Sequence, residues 1–198
     1  MTAATMTIPR VLAIHEAGHA VVAVATGLNI WQIDVRSKGD KRPFVGRRGR
    51  VITDVEGRVE TMWTWTESTL WTPDNPNCYG EFLRPRVVLD LAFTLGGPMA
   101  EAAQCRQSFG MFLFTWPAAG DYREFRRLCD LLAPDDRAAA TEEAEAFARD
   151  ALRRHRKALH ALADALQDQH HLDGEIVMPL LEQHGLKQAA HPVWRAAA

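Results

Sequence analysis

Apolar residues run almost unbroken from Ile8 to Gly27: Val11, Leu12, Ala13, Ile14, Ala17, Ala20, Val21, Val22 and Val24, with Pro9 near the start and Gly27 at the end. Proline suits the first helical turn and glycine the position past the last, so this pattern predicts a helix buried on most of its surface. Leu28–Arg36 carries Ile30, Ile33 and Val35 among β-prone neighbours, and Arg50-Val51-Ile52-Thr53-Asp54-Val55 repeats the signal. Two strands joined by a Gly/Arg/Pro loop are expected there. Met62–Trp71 is rich in Thr and Trp, with Trp63 and Trp65 on one face if extended, and Thr72–Asn77 reads as a turn or loop. From Tyr79 the spacing turns helical: Arg86–Gln107, interrupted by Gly96-Gly97-Pro98, a Phe-rich connection at Phe109–Trp116, then a helix over Asp121–Leu132. Ala144, Phe147, Ala151, Leu152, Leu159, Leu162 and Leu166 predict one long helix over 138–169. Leu172-Asp173-Gly174 breaks it before a last helix, Glu175–His184. No internal repeat or low-complexity linker divides the chain, so a single domain over 1–198 is expected.

With 198 residues, 47% of them hydrophobic, the chain can bury a core without staples. A net charge of -2 gives no electrostatic reason to expect nucleic acid or an anionic membrane as partner. Lys41, Arg42, Arg47, Arg48 and Arg50 are interspersed with Pro43, Gly39, Gly46 and Gly49 and read as a solvated loop. Cys78, Cys105 and Cys129 are odd in number, far apart and without a CxxC, which argues against a disulfide framework or a thiolate metal site. A reducing, cytoplasmic location is expected. The apolar helix over 8–27 has ionisable groups at its centre, so neither a secretion signal nor a membrane span is expected.

Those ionisable groups are His15, Glu16 and His19 of His15-Glu16-Ala17-Gly18-His19, an HExxH sequence. Residues four apart share a helical face, so both imidazoles can reach one tetrahedral ion while Glu16 stands close enough to take a proton from water. In a mostly buried helix such groups are costly without partners, and a metal ion is one such partner. A catalytic zinc takes three protein ligands, so a residue beyond position 19 must complete the set. The candidates are the remaining histidines, Glu101 and several aspartates. Position 25, where a longer HExxH signature would place a third His, is Ala25, which favours a carboxylate.

Several segments, taken in order, resemble the peptidase domain of the FtsH-type ATP-dependent membrane zinc metalloproteases. His15-Glu16-Ala17-Gly18-His19-Ala20-Val21-Val22 is similar to that family's HEAGHA motif, and Leu95-Gly96-Gly97-Pro98-Met99-Ala100-Glu101 to its LGGRxAE segment. Ala118-Ala119-Gly120-Asp121 resembles the stretch supplying its third zinc ligand, and His155–Ala165 with Leu172-Asp173-Gly174-Glu175 its closing helices. The likeness covers about residues 11–185. It implies a mostly α-helical α+β, zincin-like fold with a small sheet near the HExxH helix and a C-terminal helical bundle. It also implies Asp121 as third ligand to Zn²⁺ and Glu101 as an outer carboxylate beside a zinc-bound histidine. Read without the family, Asp121 is a helix N-cap, and Glu101 is a solvated helix residue or itself the third ligand.

The chain departs from that pattern in three ways. Pro98 replaces the family's usual Arg and should kink the helix or start a new one. Trp63–Trp71 and Asp74–Tyr79 have no counterpart. There is no G-x-x-x-x-G-K-[ST] phosphate loop, no ATPase-sized segment and no membrane anchor, so a peptidase domain standing alone is expected.

The function expected from these residues is zinc-dependent hydrolysis of peptide bonds in peptides or unfolded protein segments, with Glu16 as general base. An edge strand around Val51, Ile52 and Thr53 would bind an extended substrate through its main chain. The alternative is a zinc-binding regulatory or interaction protein without proteolytic activity, against which Glu16 speaks, since a structural zinc site needs no general base. A homo-oligomer and a separate ATPase partner are left open by analogy with that family, and neither follows from residue chemistry.

Overall fold

A computed structural model describes residues 8–36, 43–46, 49, 51–53, 56–62, 64, 83–110 and 120–189. The Trp-rich and Asp74–Tyr79 segments, most of the basic loop, Cys78, the connection from 111 to 119 and the residues from 190 onward lie outside them. Along the described chain the elements are α1 (Arg10–Ala25), β1 (Ile30–Val35), β2 (Phe44–Val45), β3 (Val51–Ile52), β4 (Gly57–Thr61) and α2 (Leu83–Gln104). They continue with α3 (Gly120–Cys129), α4 (Pro134–Arg154), α5 (Arg156–Gln169), β5 (His171–Asp173) and α6 (Gly174–Gln183). The protein is mostly helical with a small three-stranded antiparallel sheet.

Helix α1 is the hub. Pro9 precedes it with extended backbone, as suits a residue with no N–H to donate. Its residues from Ala13 to Val24 are nearly all buried, because α2, α5 and the sheet cover different sides of it. Each fully buried Ile or Val there contributes roughly 1.5–3 kcal/mol. That margin offsets the cost of burying Glu16 and His19 in the same helix.

The sheet has strand order β4-β1-β5, with Val35 opposite Gly57, Ile33 opposite Val59 and Leu172, and Asp34 opposite Arg58 and His171. Strand alternation sends Ile33, Val35, Val59 and Leu172 toward α1, where they join one apolar cluster with Ala17, Val21 and Leu162. The opposite face is polar and carries the β2–β3 hairpin, tied on by Gln32 Nε2 donating to the Val45 carbonyl at 3.2 Å and Arg36 Nη2 to that of Pro43 at 3.0 Å. A second cluster joins α2 to α4 through Val87, Leu91 and Leu95 against Ala140, Ala144, Ala148 and Ala151, whose methyl groups permit a close approach.

The structure corrects four details. The strand expected over 50–55 is observed at Val51–Ile52 and does not pair with β1: it pairs with Phe44–Val45, and the partners of β1 are Gly57–Thr61 and His171–Asp173. Leu172-Asp173, expected only to break a helix, forms the third strand. The helix expected over 138–169 divides at His155 (φ -106°, ψ 30°). Conversely, Gly96-Gly97-Pro98 does not interrupt α2, which runs on through it. Pro98 lacks the N–H that would reach the Thr94 carbonyl, but helix packing on both flanks holds the backbone helical.

Candidate metal centre

His15 and His19 project from one face of α1 into its contact with α2, and the first turn of α3 brings Asp121 to the same point. Nε2 of His15 lies 3.0 Å from Asp121 Oδ2 and 3.1 Å from His19 Nε2, and His19 Nε2 lies 3.4 Å from Asp121 Oδ2. These three atoms, one per residue, could hold a metal ion. Donor atoms around a tetrahedral ion with bonds of about 2.0–2.1 Å stand roughly 3.3 Å apart, which is the spacing of this triangle.

The outer hydrogen bonds fix the tautomers. His19 Nδ1 lies 2.9 Å from the Phe93 carbonyl, which can only accept, so the proton sits on Nδ1 and the Nε2 lone pair faces inward. His15 Nδ1 likewise donates to Glu101 Oε2 at 2.8 Å. In the neutral form of both rings, two imidazole lone pairs and a carboxylate oxygen therefore converge. Neutral imidazoles in these tautomers cannot hydrogen-bond to each other through Nε2, so either a proton on His15 Nε2 shared with Asp121 or a metal ion among the three atoms accounts for their approach.

Without a metal the same donor atoms take up protons, which a bound metal would have to displace. Burial lowers the pKa of His15, but hydrogen bonds to Asp121 and Glu101 and the charges of Glu16 and Asp121 outweigh it and raise it to about 10. His19 is raised as well, burial again being outweighed by Asp121. Burial acts to raise the Asp121 carboxyl, yet the two histidines hold it well below the usual carboxylate range. Glu16 moves the other way: burial raises its pKa despite the opposing pull of His15 and His19. The residue is 4% exposed, and its side chain lies against the start of β4.

The structure thus brings together His15, Glu16, His19, Glu101 and Asp121, residues spread over α1, α2 and α3. Glu101 touches His15 and is not in the converging set. Val51 is exposed on the hairpin, as is Thr53 just beyond it, and the strand that reaches Glu16 is β4. The role of the Phe93 main chain was not legible from sequence, because a carbonyl acceptor carries no side-chain signature. Among the described residues, no helix is long and apolar enough to cross a membrane. Compared with known protein families and with curated proteins, the chain matches none.

Proposed function

We propose that this protein is a zinc-dependent metallopeptidase with a zincin-like fold, related in design to the FtsH-type peptidase domain that its motifs resemble. The observation that carries the reading is the convergence of His15 Nε2, His19 Nε2 and Asp121 Oδ2 beside the buried carboxyl of Glu16. Two imidazoles and one carboxylate suit zinc, and a three-residue set leaves a coordination position for substrate chemistry. When bound, zinc supplies a Lewis acid that polarises a scissile carbonyl and brings the pKa of water to about 7.

The chain's own residues supply the rest. Glu16, its pKa raised by burial, is suited to accept the proton of the attacking water and hand it to the leaving amine. Glu101 and the Phe93 carbonyl hold the two imidazoles in the ligating tautomer. Among the described residues β4 is an outer strand of the sheet, with Gly57 at the base, so an extended peptide paired along its outer side would present its main chain to Glu16. Main-chain pairing is indifferent to sequence, which favours unfolded segments and peptides as substrates.

The test is hydrolysis of an unfolded, fluorescently quenched protein substrate by the wild type and by Glu16→Gln. Zinc-dependent cleavage, lost in Glu16→Gln with zinc content unchanged, supports the peptidase. Equal function in cells with Glu16→Gln supports a binding role in its place.

A further inference from the structure

We propose that Gly97 is a positioning residue of the metal centre: a hydrogen in place of a side chain at this one position of α2 is what allows the two imidazole Nε2 atoms to converge. The inference depends on the zinc-site proposal and adds to it a determinant that is not a ligand: Gly97, whose N–H already approaches His19 Nδ1 at 3.4 Å. A Cβ on residue 97 would overlap His19 Nε2, stand 2.5 Å from His19 Cδ2 and 2.7 Å from His15 Nε2. A single methyl would therefore sit against both histidine donor atoms.

The neighbouring glycine provides the contrast. A Cβ on Gly96 would meet the Gly18 carbonyl oxygen at 2.7 Å, and one on Gly18 would meet the Gly96 carbonyl oxygen at 2.5 Å. Those are backbone atoms of two packed helices and cannot swing aside, so Gly18 and Gly96 set how closely α1 and α2 cross. The three nearest atoms at Gly97 are tips of imidazole rings, which can rotate. The fold can absorb a methyl there by turning the rings, at the cost of the His19 Nδ1 to Phe93 hydrogen bond and of the donor spacing. Adjacent glycines thus serve different ends: Gly96 the packing of the helices, Gly97 the convergence of the ligands.

Cobalt(II) is the probe, because a tetrahedral Co²⁺ site absorbs in the visible and reports geometry without turnover. The full chain, stripped of metal, is titrated as wild type, Gly97→Ala and Gly96→Ala, and the thermal midpoint of each metal-free protein is measured alongside. For Gly97→Ala the expected result is a midpoint near that of the wild type, with Co²⁺ affinity about 100-fold weaker or worse and the tetrahedral band lost. For Gly96→Ala the midpoint falls by about 5 °C or more while the folded protein keeps the band. Gly97→Ala that titrates like the wild type, or that is destabilised as severely as Gly96→Ala, overturns the assignment. A wild type that takes up no metal fails one step earlier, at the metal centre, and takes the inference with it.

Discussion

Gly57, the first residue of β4, lies against the side chain of Glu16: a Cβ at position 57 would overlap the carboxylate and stand 2.7 Å from Glu16 Cγ. Sheet edge and buried carboxyl are therefore in direct contact, and the strand fixes how far the carboxyl stands from the imidazoles. The φ of Gly57 is not positive, so the backbone there accepts an L side chain and the constraint is one of space.

Gly57→Ala consequently displaces Glu16 without touching His15, His19 or Asp121. Metal content should equal that of the wild type, while kcat for peptide hydrolysis falls by about 100-fold, the usual consequence of misplacing a catalytic group by an ångström. Steady-state kinetics with parallel elemental analysis checks this. Unchanged kcat would mean that Glu16 does not act from the position it occupies against β4.

Removing the Glu101 carboxylate leaves the His15 Nδ1–H without its acceptor and the ring without its orientation. Glu101→Ala should weaken zinc binding by about 10- to 100-fold, and Asp121→Ala, which removes one of the converging atoms, by clearly more. Competition titration against a chromophoric chelator ranks the two. The reverse ranking would make Glu101 the ligand and Asp121 the supporting residue.

Protons and metal compete at these atoms, which sets the pH dependence. His15 is raised from 6.5 to about 10 in the folded chain, burial being outweighed by its Asp121 and Glu101 hydrogen bonds. In metal-free protein its contribution to stability is therefore complete below pH 6.5 and is lost as pH rises through about 10. Asp121, lowered from 3.8, contributes above that value and loses its contribution as pH falls through its depressed folded pKa. Chelator-treated protein should accordingly lose stability on the alkaline side of neutrality, whereas zinc-loaded protein should not. Zinc must displace the His15 proton, so calorimetry at pH 8 in buffers of different ionisation enthalpy should show release of at least one proton per zinc. Zinc uptake without proton release would contradict the protonation state given to His15.

Much of this architecture is legible in the sequence where one residue pattern dictates one local outcome. Pro9, the apolar run and Gly27 bracket α1, observed as Arg10–Ala25, and the four-residue spacing of His15 and His19 places both rings on one face. Elements that depend on distant partners are not legible. In β5 only Leu172 is buried, between exposed His171 and Asp173, so the three residues carry no strand pattern and become a strand through β1. In β4, Gly57, Arg58 and Glu60 disguise a strand whose residues are all half-buried. The break at His155 has neither glycine nor proline to announce it, and Gly96-Gly97-Pro98, which reads as a break, is overridden by the packing of α1 and α4 on α2. At the metal centre the side-chain donors could be listed from sequence, but choosing Asp121 over Glu101 as a converging residue requires coordinates, since 106 and 86 positions separate them from His15.

The most direct test of the central claim is the metal content of purified protein, measured by elemental analysis on the wild type, Asp121→Ala and Glu16→Gln. The account predicts about one zinc per chain in the wild type, a sharp fall in Asp121→Ala and no change in Glu16→Gln, because the base lies beside the ligands and is not one of them. A wild type without metal after handling free of chelators, or an Asp121→Ala protein as fully loaded as the wild type, would contradict it.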